Sequence, residues 1–493
     1  MRASGILLPV FSLPSKYGIG CFSKEAYAFI DFLKEAGQTR WQILPLGPTG
    51  YGDSPYQSFS TFAGNPYFID LQTLIEEHLL TEQECAAYDF GRDSVSIDYE
   101  KLYHARFGIL RKAYQRFCPD KTYETFISQN TWWLSDYALY MAVKDAHDGM
   151  PWSSWETPLR TRQPDALRKA KELYADEIGF YSFLQFTFDK QWTQLKAYAN
   201  KNAVQIIGDL PIYVAFDSAD TWAAPNLFQF TENHTPVHVA GCPPDAFSAT
   251  GQLWGNPLYN WQYHKETDYA WWTRRIAHSL KLYDIVRIDH FRGFDEYYAI
   301  PYGDKTAEHG QWMPGPGLDF FRTIEKKLGQ LPIIAEDLGF LTDSVLNLLK
   351  DSGFPGMKVI QFAFDDRESS NYLPYTYPAN CVVYTGTHDN DTTRSWYRHA
   401  PKECRDFAAE YLHKPLLDTD SLSWDFIAMA MSSVANLCVI PIQDCLCLDE
   451  HARINTPSTL GGNWTWRLTN EQLTKELAAQ LQHMTKLYGR LSS

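Results

Sequence analysis

Eight short apolar runs recur along the chain, each rich in β-branched residues and each closed by a polar residue or by Gly or Pro. They occupy residues 5–11 (GILLPVF), 41–46 (WQILPL), 204–210 (VQIIGDL), 284–290 (DIVRIDH), 331–337 (LPIIAED), 358–364 (KVIQFAF), 381–387 (CVVYTGT) and 437–443 (LCVIPIQ). Between several of them the apolar positions change to helical spacing. Residues 26–36 (AYAFIDFLKEA) run up to Gly37. Residues 319–328 (DFFRTIEKKL) open on Asp319, an N-cap candidate, and stop at Gly329. Residues 342–349 open on Thr-Asp-Ser and again run toward a Gly. These are the start and stop signals of helices. Strand and helix alternating eight times predict an α/β fold, a (β/α)8 TIM barrel, with a doubly wound open sheet as the structural alternative.

The spacing of the runs is uneven. From the fourth onward they recur every 25 to 55 residues or so, whereas about 155 residues separate the second from the third and about 75 the third from the fourth. A barrel of this kind needs ~250 residues. The excess is therefore expected as two insertions after strands 2 and 3. The first, 62–200, reads as mainly helical, with Trp132-Trp133 and Trp152–Trp155 punctuating polar helices. The second, 212–280, reads as loop-rich and aromatic. Loops on that side of a barrel build its active site, so both insertions are expected to shape a substrate cleft. No internal repeat or low-complexity tract is present.

Composition narrows the function. Of 493 residues, 45% are hydrophobic and 21% charged, which excludes extended disorder. The net charge of −15 makes the chain a poor general binder of nucleic acid or anionic membrane. Aromatics reach 15%, mostly core mass, and such flat apolar faces also suit stacking on sugar rings. The nine cysteines have no paired CxxC, and Cys445-Leu-Cys447 is too tight for a zinc knuckle. Free thiols in a reducing compartment are expected. The first residues lack a signal-peptide apolar region and no stretch of 18 apolar residues occurs, so a soluble cytoplasmic protein without a membrane span is expected.

The late strands end in acids: Asp209, Asp289, Glu336 with Asp337, and, after the seventh, His388-Asp389-Asn390-Asp391. In a barrel these ends converge on one mouth. One strand-end Asp is commonly a cap or turn residue, but burying several acids together is costly unless they are paired or used. Arg287 and Asp289 share a face because side chains alternate along a strand. A guanidinium there is expected to keep Asp289 ionised, as a nucleophile must be. Glu336 ends an apolar run, and desolvation is expected to raise its pKa, as a general acid needs. One charged and one protonated carboxyl make the arrangement of a retaining glycosidase. A structural ion pair remains the alternative for Arg287 and Asp289. A second reading places Mg²⁺ on Asp209, Asp289 and Glu336 as in an enolase-type lyase. That chemistry needs a base, for which only His290 and His388 are placed. GxGxxG, GxxxxGK, HExxH and GxSxG are all absent.

With those residues in place the chain resembles one family. VRIDHFRGF (286–294), IIAEDLG (333–339) and TGTHDNDT (385–392) are similar to the three catalytic segments of the 4-α-glucanotransferases, the amylomaltases or disproportionating enzymes of glycoside hydrolase family 77. PPDAFSATGQLWGNPLYNW (243–261) is similar to that family's signature loop, and segments 53–70, 208–222 and 441–457 also match. The resemblance spans nearly the whole chain. It implies Asp289 as nucleophile, Glu336 as acid/base and Asp389 on the ring hydroxyls of the distorted sugar, with Arg287 and His388 beside it. It further implies Asp209 on the same sugar, Trp254 in a loop arching over the cleft, and Ser54, Tyr56, Phe362 and Asn455 as glucan contacts. Two positions depart from the family pattern. Cys21 stands where an acidic residue is usual, and Pro457-Ser458-Thr459 stands where Pro-Gly-Thr is usual.

The resulting expectation is transfer of an α-1,4-glucan segment to the 4-OH of glucose or another glucan through a covalent glycosyl-enzyme, with cyclic glucans as further products. No metal ion or organic cofactor is expected. Hydrolysis by the same three carboxylates, the metal-dependent lyase and a glucan-binding protein with an inactive barrel are the rivals.

Overall fold

The protein was analysed as a computed structural model, which describes residues 2–50, 52–91, 93–244, 248–339, 341–365 and 371–491. Its strands are, in chain order, β1 (Ala3–Leu7), β2 (Arg40–Gln42), β3 (Gln205–Leu210), β4 (His238–Cys242), β5 (Gln252–Pro257), β6 (Ile285–Ile288), β7 (Glu296–Pro301), β8 (Gln311–Pro314), β9 (Ile333–Ala335), β10 (Gly356–Val359), β11 (Cys381–Tyr384) and β12 (Leu437–Pro441). Each of the eight apolar runs contains or overlaps one strand of a single parallel sheet ordered β10-β11-β12-β1-β2-β3-β6-β9. The seam between β9 and β10 is bridged rather than laddered. Ala335 N donates to Pro355 O (2.9 Å), and Met357 N donates to the Asp337 carboxylate (2.6 Å). The fold is a (β/α)8 barrel, not an open sheet.

Strand alternation sorts the side chains. Leu7, Ile207, Ile334, Met357, Val359, Val382, Tyr384 and Val439 form one buried cluster, while their neighbours Ile6, Ile206, Ile333, Val383 and Cys438 belong to the larger cluster under the helices. The first set fills the barrel interior. The helix Lys24–Glu35 covers the outer face with Phe29, Ile30 and Leu33. The helix Gly317–Leu328 starts earlier than the sequence suggested. Pro316 occupies its N-cap, and Asp319 lies in the first turn, where it accepts from the Tyr269 hydroxyl (3.2 Å). It ends at Gly329, whose positive φ (81°) with ψ −162° is a conformation open essentially to glycine. The helix Asp343–Ser352 ends at Gly353 in the left-handed region (φ 72°).

The first long connection is dominated by two packed helices, Lys121–Ala146 and Ala175–Lys201. Trp132 and Trp133 sit inside the former rather than between helices: Phe62 and His278 meet these rings from one side, so the pair packs without ending the helix. Trp152 and Trp155 do flank a short turn, and the Trp152 indole donates to Phe216 O (2.8 Å). The second connection holds more order than its loop-rich reading. β4 pairs antiparallel with β5 and with β7, and β7 with β8, giving a second sheet ordered β5-β4-β7-β8. This sheet joins the segment after β3 to the segment after β6. Its strands are short, four to six residues each, and the pairing is long-range, so no local pattern announced it. Among the described residues, no helix is long and apolar enough to cross a membrane. All nine cysteines are free thiols, most of them buried and Cys118 exposed.

Candidate active site

The inward parity that fills the barrel with Ile207, Ile285 and Ile334 carries two residues further to Asp209, Arg287 and Glu336, and four further to Asp289. The apolar interior thus ends in a layer of charge. Arg287 stands at its centre, almost fully buried. Its Nη1 donates to Asp209 Oδ2 at 2.6 Å, its Nη2 to Asp289 Oδ1 at 3.0 Å, and its Nε to the Met357 sulfur at 3.4 Å. A guanidinium therefore fills the space between Asp209 and Asp289 that the Mg²⁺ reading assigns to a metal. Among the described residues no group of three or more His, Cys, Asp and Glu is arranged to hold a metal ion.

Glu336 is gripped by backbone. Its Oε1 accepts from Leu338 N (2.8 Å) and its Oε2 from His290 N (2.7 Å). Those bonds favour the anion, but burial outweighs them and the nearby Asp289 charge adds to it. Together they push the Glu336 carboxyl up to about 7. Asp289 departs from the sequence expectation in one respect. The Arg287 pair is present, yet burial outweighs it, and with Asp209 and Asp389 adding, the carboxyl is pushed up to about 6. Of the two carboxyls, Glu336 still holds its proton to the higher pH.

Beyond β11 the chain turns through His388 and Asp389. Asp389 Oδ1 accepts from Asn455 Nδ2 (2.6 Å), its Oδ2 lies 3.3 Å from His388 Nε2, and its backbone oxygen accepts from Arg453 (2.9 Å). Burial opposes the Asp389 charge, but His388 and Asn455 prevail and hold the carboxyl down at about 2. Burial likewise opposes a charged His388, and Asp389 reverses it, so the imidazole pKa is raised. Tyr56 closes the ring of contacts. Its hydroxyl lies 2.6 Å from Asp209 Oδ2 and 2.9 Å from His388 Nε2, and its ring stacks on the imidazole (5.4 Å between centroids). A phenol has one proton to give. It goes to the carboxylate, so His388 donates from Nε2 and its tautomer is set.

The structure thus brings together Asp209, Arg287, Asp289, His388, Asp389, Tyr56 and Asn455, with Glu336 joined through His290. Trp254, on β5, reaches this group through the His290 ring, edge-on at 4.8 Å. Phe362, partly exposed, packs against the barrel interior and Tyr372, and Ser54 shapes the turn that presents Tyr56, accepting from its N–H (3.3 Å). Residues 245–247 of the 243–261 segment lie outside the described residues. The role of His290 was not legible beyond its standing as a possible base: it adopts φ 53°, and its chief contact is made by a backbone N–H. Arg453 was also missed, although it lies in the quoted 441–457 segment. Both departures have local accounts. Cys21 is fully buried near Ser15 and Asp70, and burial pushes its thiol up to about 11. Ser458 stands at φ 65°, a conformation that suits glycine.

Comparison with known proteins finds relatives along the whole chain. A family model described as 4-alpha-glucanotransferase matches residues 8–474. A 4-alpha-glucanotransferase of Clostridium butyricum is 49% identical over 485 residues, covering 98% of this chain and 99% of that protein. One of Streptococcus pneumoniae is 48% identical over 496 residues, covering 100% and 98%. The solved amylomaltase from Streptococcus agalactiae in complex with acarbose superposes with a TM-score of 0.97 at 40% identity, covering 100% of both chains.

Proposed function

The chain belongs to the 4-alpha-glucanotransferase family, and on that premise we propose how its own residues perform the reaction. The protein transfers a segment of an α-1,4-glucan to the 4-OH of an acceptor glucose or glucan. Asp289 attacks the anomeric carbon while Glu336 gives its proton to the glycosidic oxygen. The C1–O bond breaks, the reducing-end piece leaves as an alcohol, and the donor stays on Asp289 as an ester. The 4-OH of the acceptor then gives its proton to Glu336 and attacks C1, and the Asp289 carboxylate is released. Asp389, charged at every working pH, accepts hydrogen bonds from the ring hydroxyls of the reacting sugar, with His388 and Asp209 beside it. Trp254 and Tyr56 offer ring faces to the glucan, and Ser54, Phe362 and Asn455 line its path. This chemistry needs no metal ion or organic cofactor.

One observation carries the assignment. Two carboxyls on adjacent barrel strands sense each other's charge, one held by a guanidinium and the other left with the higher proton affinity. That is the division of labour a double displacement requires. Residues 62–200 and 212–280 are proposed as the walls of the glucan cleft, which favour a bound sugar over water as acceptor. The nine free thiols support a cytoplasmic setting.

Azide separates the two roles. With α-glucosyl fluoride as donor, Asp289→Ala is expected to yield β-glucosyl azide, because azide takes the nucleophile's face. Glu336→Ala is expected to yield the α-azide, formed from the ester. The opposite anomers, or no rescue of either variant, would overturn the assignment. For the native protein, maltotriose in EDTA is expected to give glucose and longer oligomers at constant reducing ends. A rise in reducing ends without longer products would make it a hydrolase.

A further inference from the structure

His290 follows the proposed nucleophile and belongs to neither carboxyl, yet it touches both sides of the cleft. Its backbone is left-handed at φ 53°, a conformation uncommon for a residue with a side chain. That twist turns its N–H onto Glu336 Oε2 at 2.7 Å. Its imidazole then meets Trp254 edge-on at 4.8 Å and Tyr213 at 6.4 Å, with Nε2 buried and without a hydrogen-bond partner. Burial, with Arg292 adding, pushes the ring pKa down to about 3, so the ring is neutral and acts by packing, not by charge. The chain supplies a second link. Six residues after His290, β7 begins, and β7 carries β4 and so β5, on which Trp254 stands.

We propose that His290 is a positioning residue that couples the strand bearing Trp254 to Glu336: its ring follows Trp254, and its backbone N–H sets one oxygen of the carboxyl. A glucan seated against Trp254 presses the ring into place and so steadies Glu336 for proton transfer. An empty cleft leaves that hold looser. The inference rests on Glu336 being the acid/base, a reading the azide experiment tests on its own.

The test uses the intact protein, with maltotriose as both donor and acceptor. His290→Asn keeps a residue that tolerates the left-handed region and keeps the N–H, but removes the imidazole. Expected are a fall of about tenfold in kcat with KM within about twofold, and an alkaline limb of kcat/KM moved to lower pH by about half a unit. The shift has that sign because the N–H bond remains and water enters where the ring stood, favouring the Glu336 anion. The other groups facing Glu336, namely Asp289 and Arg287 from β6 and Tyr372 from the segment after β10, are unchanged. Trp254→Ala is expected to move the same limb in the same direction through His290. The double variant is expected to lose little more kcat than the worse single one. A limb that stays put in both single variants, or losses that multiply in the double, would overturn the proposal. If His290→Asn does not fold, His290→Gly, which suits φ 53°, takes its place.

Discussion

Asp389 and Glu336 stand at one barrel mouth, neither fully enclosed, and their proton affinities part by several pH units: one carboxyl is held at about 2, the other pushed to about 7. Burial raises both. The difference comes from what completes each shell. Asp389 has the His388 imidazole, whose pKa is raised beside it, and the Asn455 amide. Glu336 has two backbone N–H groups, which carry no net charge, and the Asp289 anion for a neighbour. The contrast teaches that burial alone does not make an acid catalyst; the balance of burial against all the nearby charges and donors decides, as Asp289 shows by rising to about 6 with Arg287 against it. A carboxylate meant to accept hydrogen bonds from sugar hydroxyls is given an imidazole and an amide as donors. One meant to carry a proton is given an anion.

The largest effect should come from erasing the Asp389 side of the contrast. Asp389→Asn removes the charge and leaves His388 without its partner. We expect kcat to fall by about 10³-fold, comparable to losing an electrostatic stabiliser of a transition state, and the His388 imidazole to become neutral at lower pH. Measured kinetics on maltotriose within tenfold of the parent would mean that Asp389 does not grip the reacting sugar.

The pH profile reads the Glu336 side. Asp289 must have lost its proton and Glu336 must have kept its own, so kcat/KM should fall below about pH 6 and above about pH 7. The limbs belong to the interacting pair rather than to either residue. Each limb should fall about tenfold per pH unit once well past its midpoint. Activity that held level to pH 9 would remove the proton from Glu336's proposed role. A smaller effect is expected where the two sides meet. Tyr56→Phe deletes the hydroxyl shared by Asp209 and His388, a loss of about 1–1.5 kcal/mol or roughly tenfold in kcat, with the alkaline limb unmoved because that hydroxyl bonds Asp209 and His388 and not Glu336.

Which parts of this contrast were legible in the sequence follows from how local each cause is. The eight barrel strands could be read because each is a short apolar run, and the acids Asp209, Asp289 and Glu336 could be read because they end those runs. The rise of the Glu336 pKa followed from its apolar run. The clasp of Asn455 on Asp389 spans 66 positions and was not read: the family resemblance implied Asn455 only as a glucan contact. The second sheet was invisible because β4 and β7 pair across a gap that encloses a whole barrel helix and strand. Arg287 was expected to settle Asp289 as an anion, but that reading weighed one cation and not the depth of burial or the two acids, Asp209 and Asp389, beyond it. Composition and order report which charges are close in sequence; the balance depends on those brought close in space.

The last effect is thermodynamic, not kinetic, and it has the opposite sign on the two sides. Glu336 ordinarily titrates near 4.5 and in the folded protein near 7. Between those values the folded state holds a proton that the unfolded chain releases, so stability falls as pH rises through that window and the full cost stands by pH 8. Asp389 runs the other way: its depressed pKa contributes stability at neutral pH that is lost only as pH falls toward 2. Glu336→Gln removes the Glu336 cost and also relieves Asp289 of an anionic neighbour. The variant should therefore be more stable than the parent at pH 8, by about 1–2 kcal/mol, and no more stable at pH 4.5. Urea unfolding at the two pH values measures this directly. A stability gain equal at both would trace to packing of the amide and not to the proton that Glu336 carries.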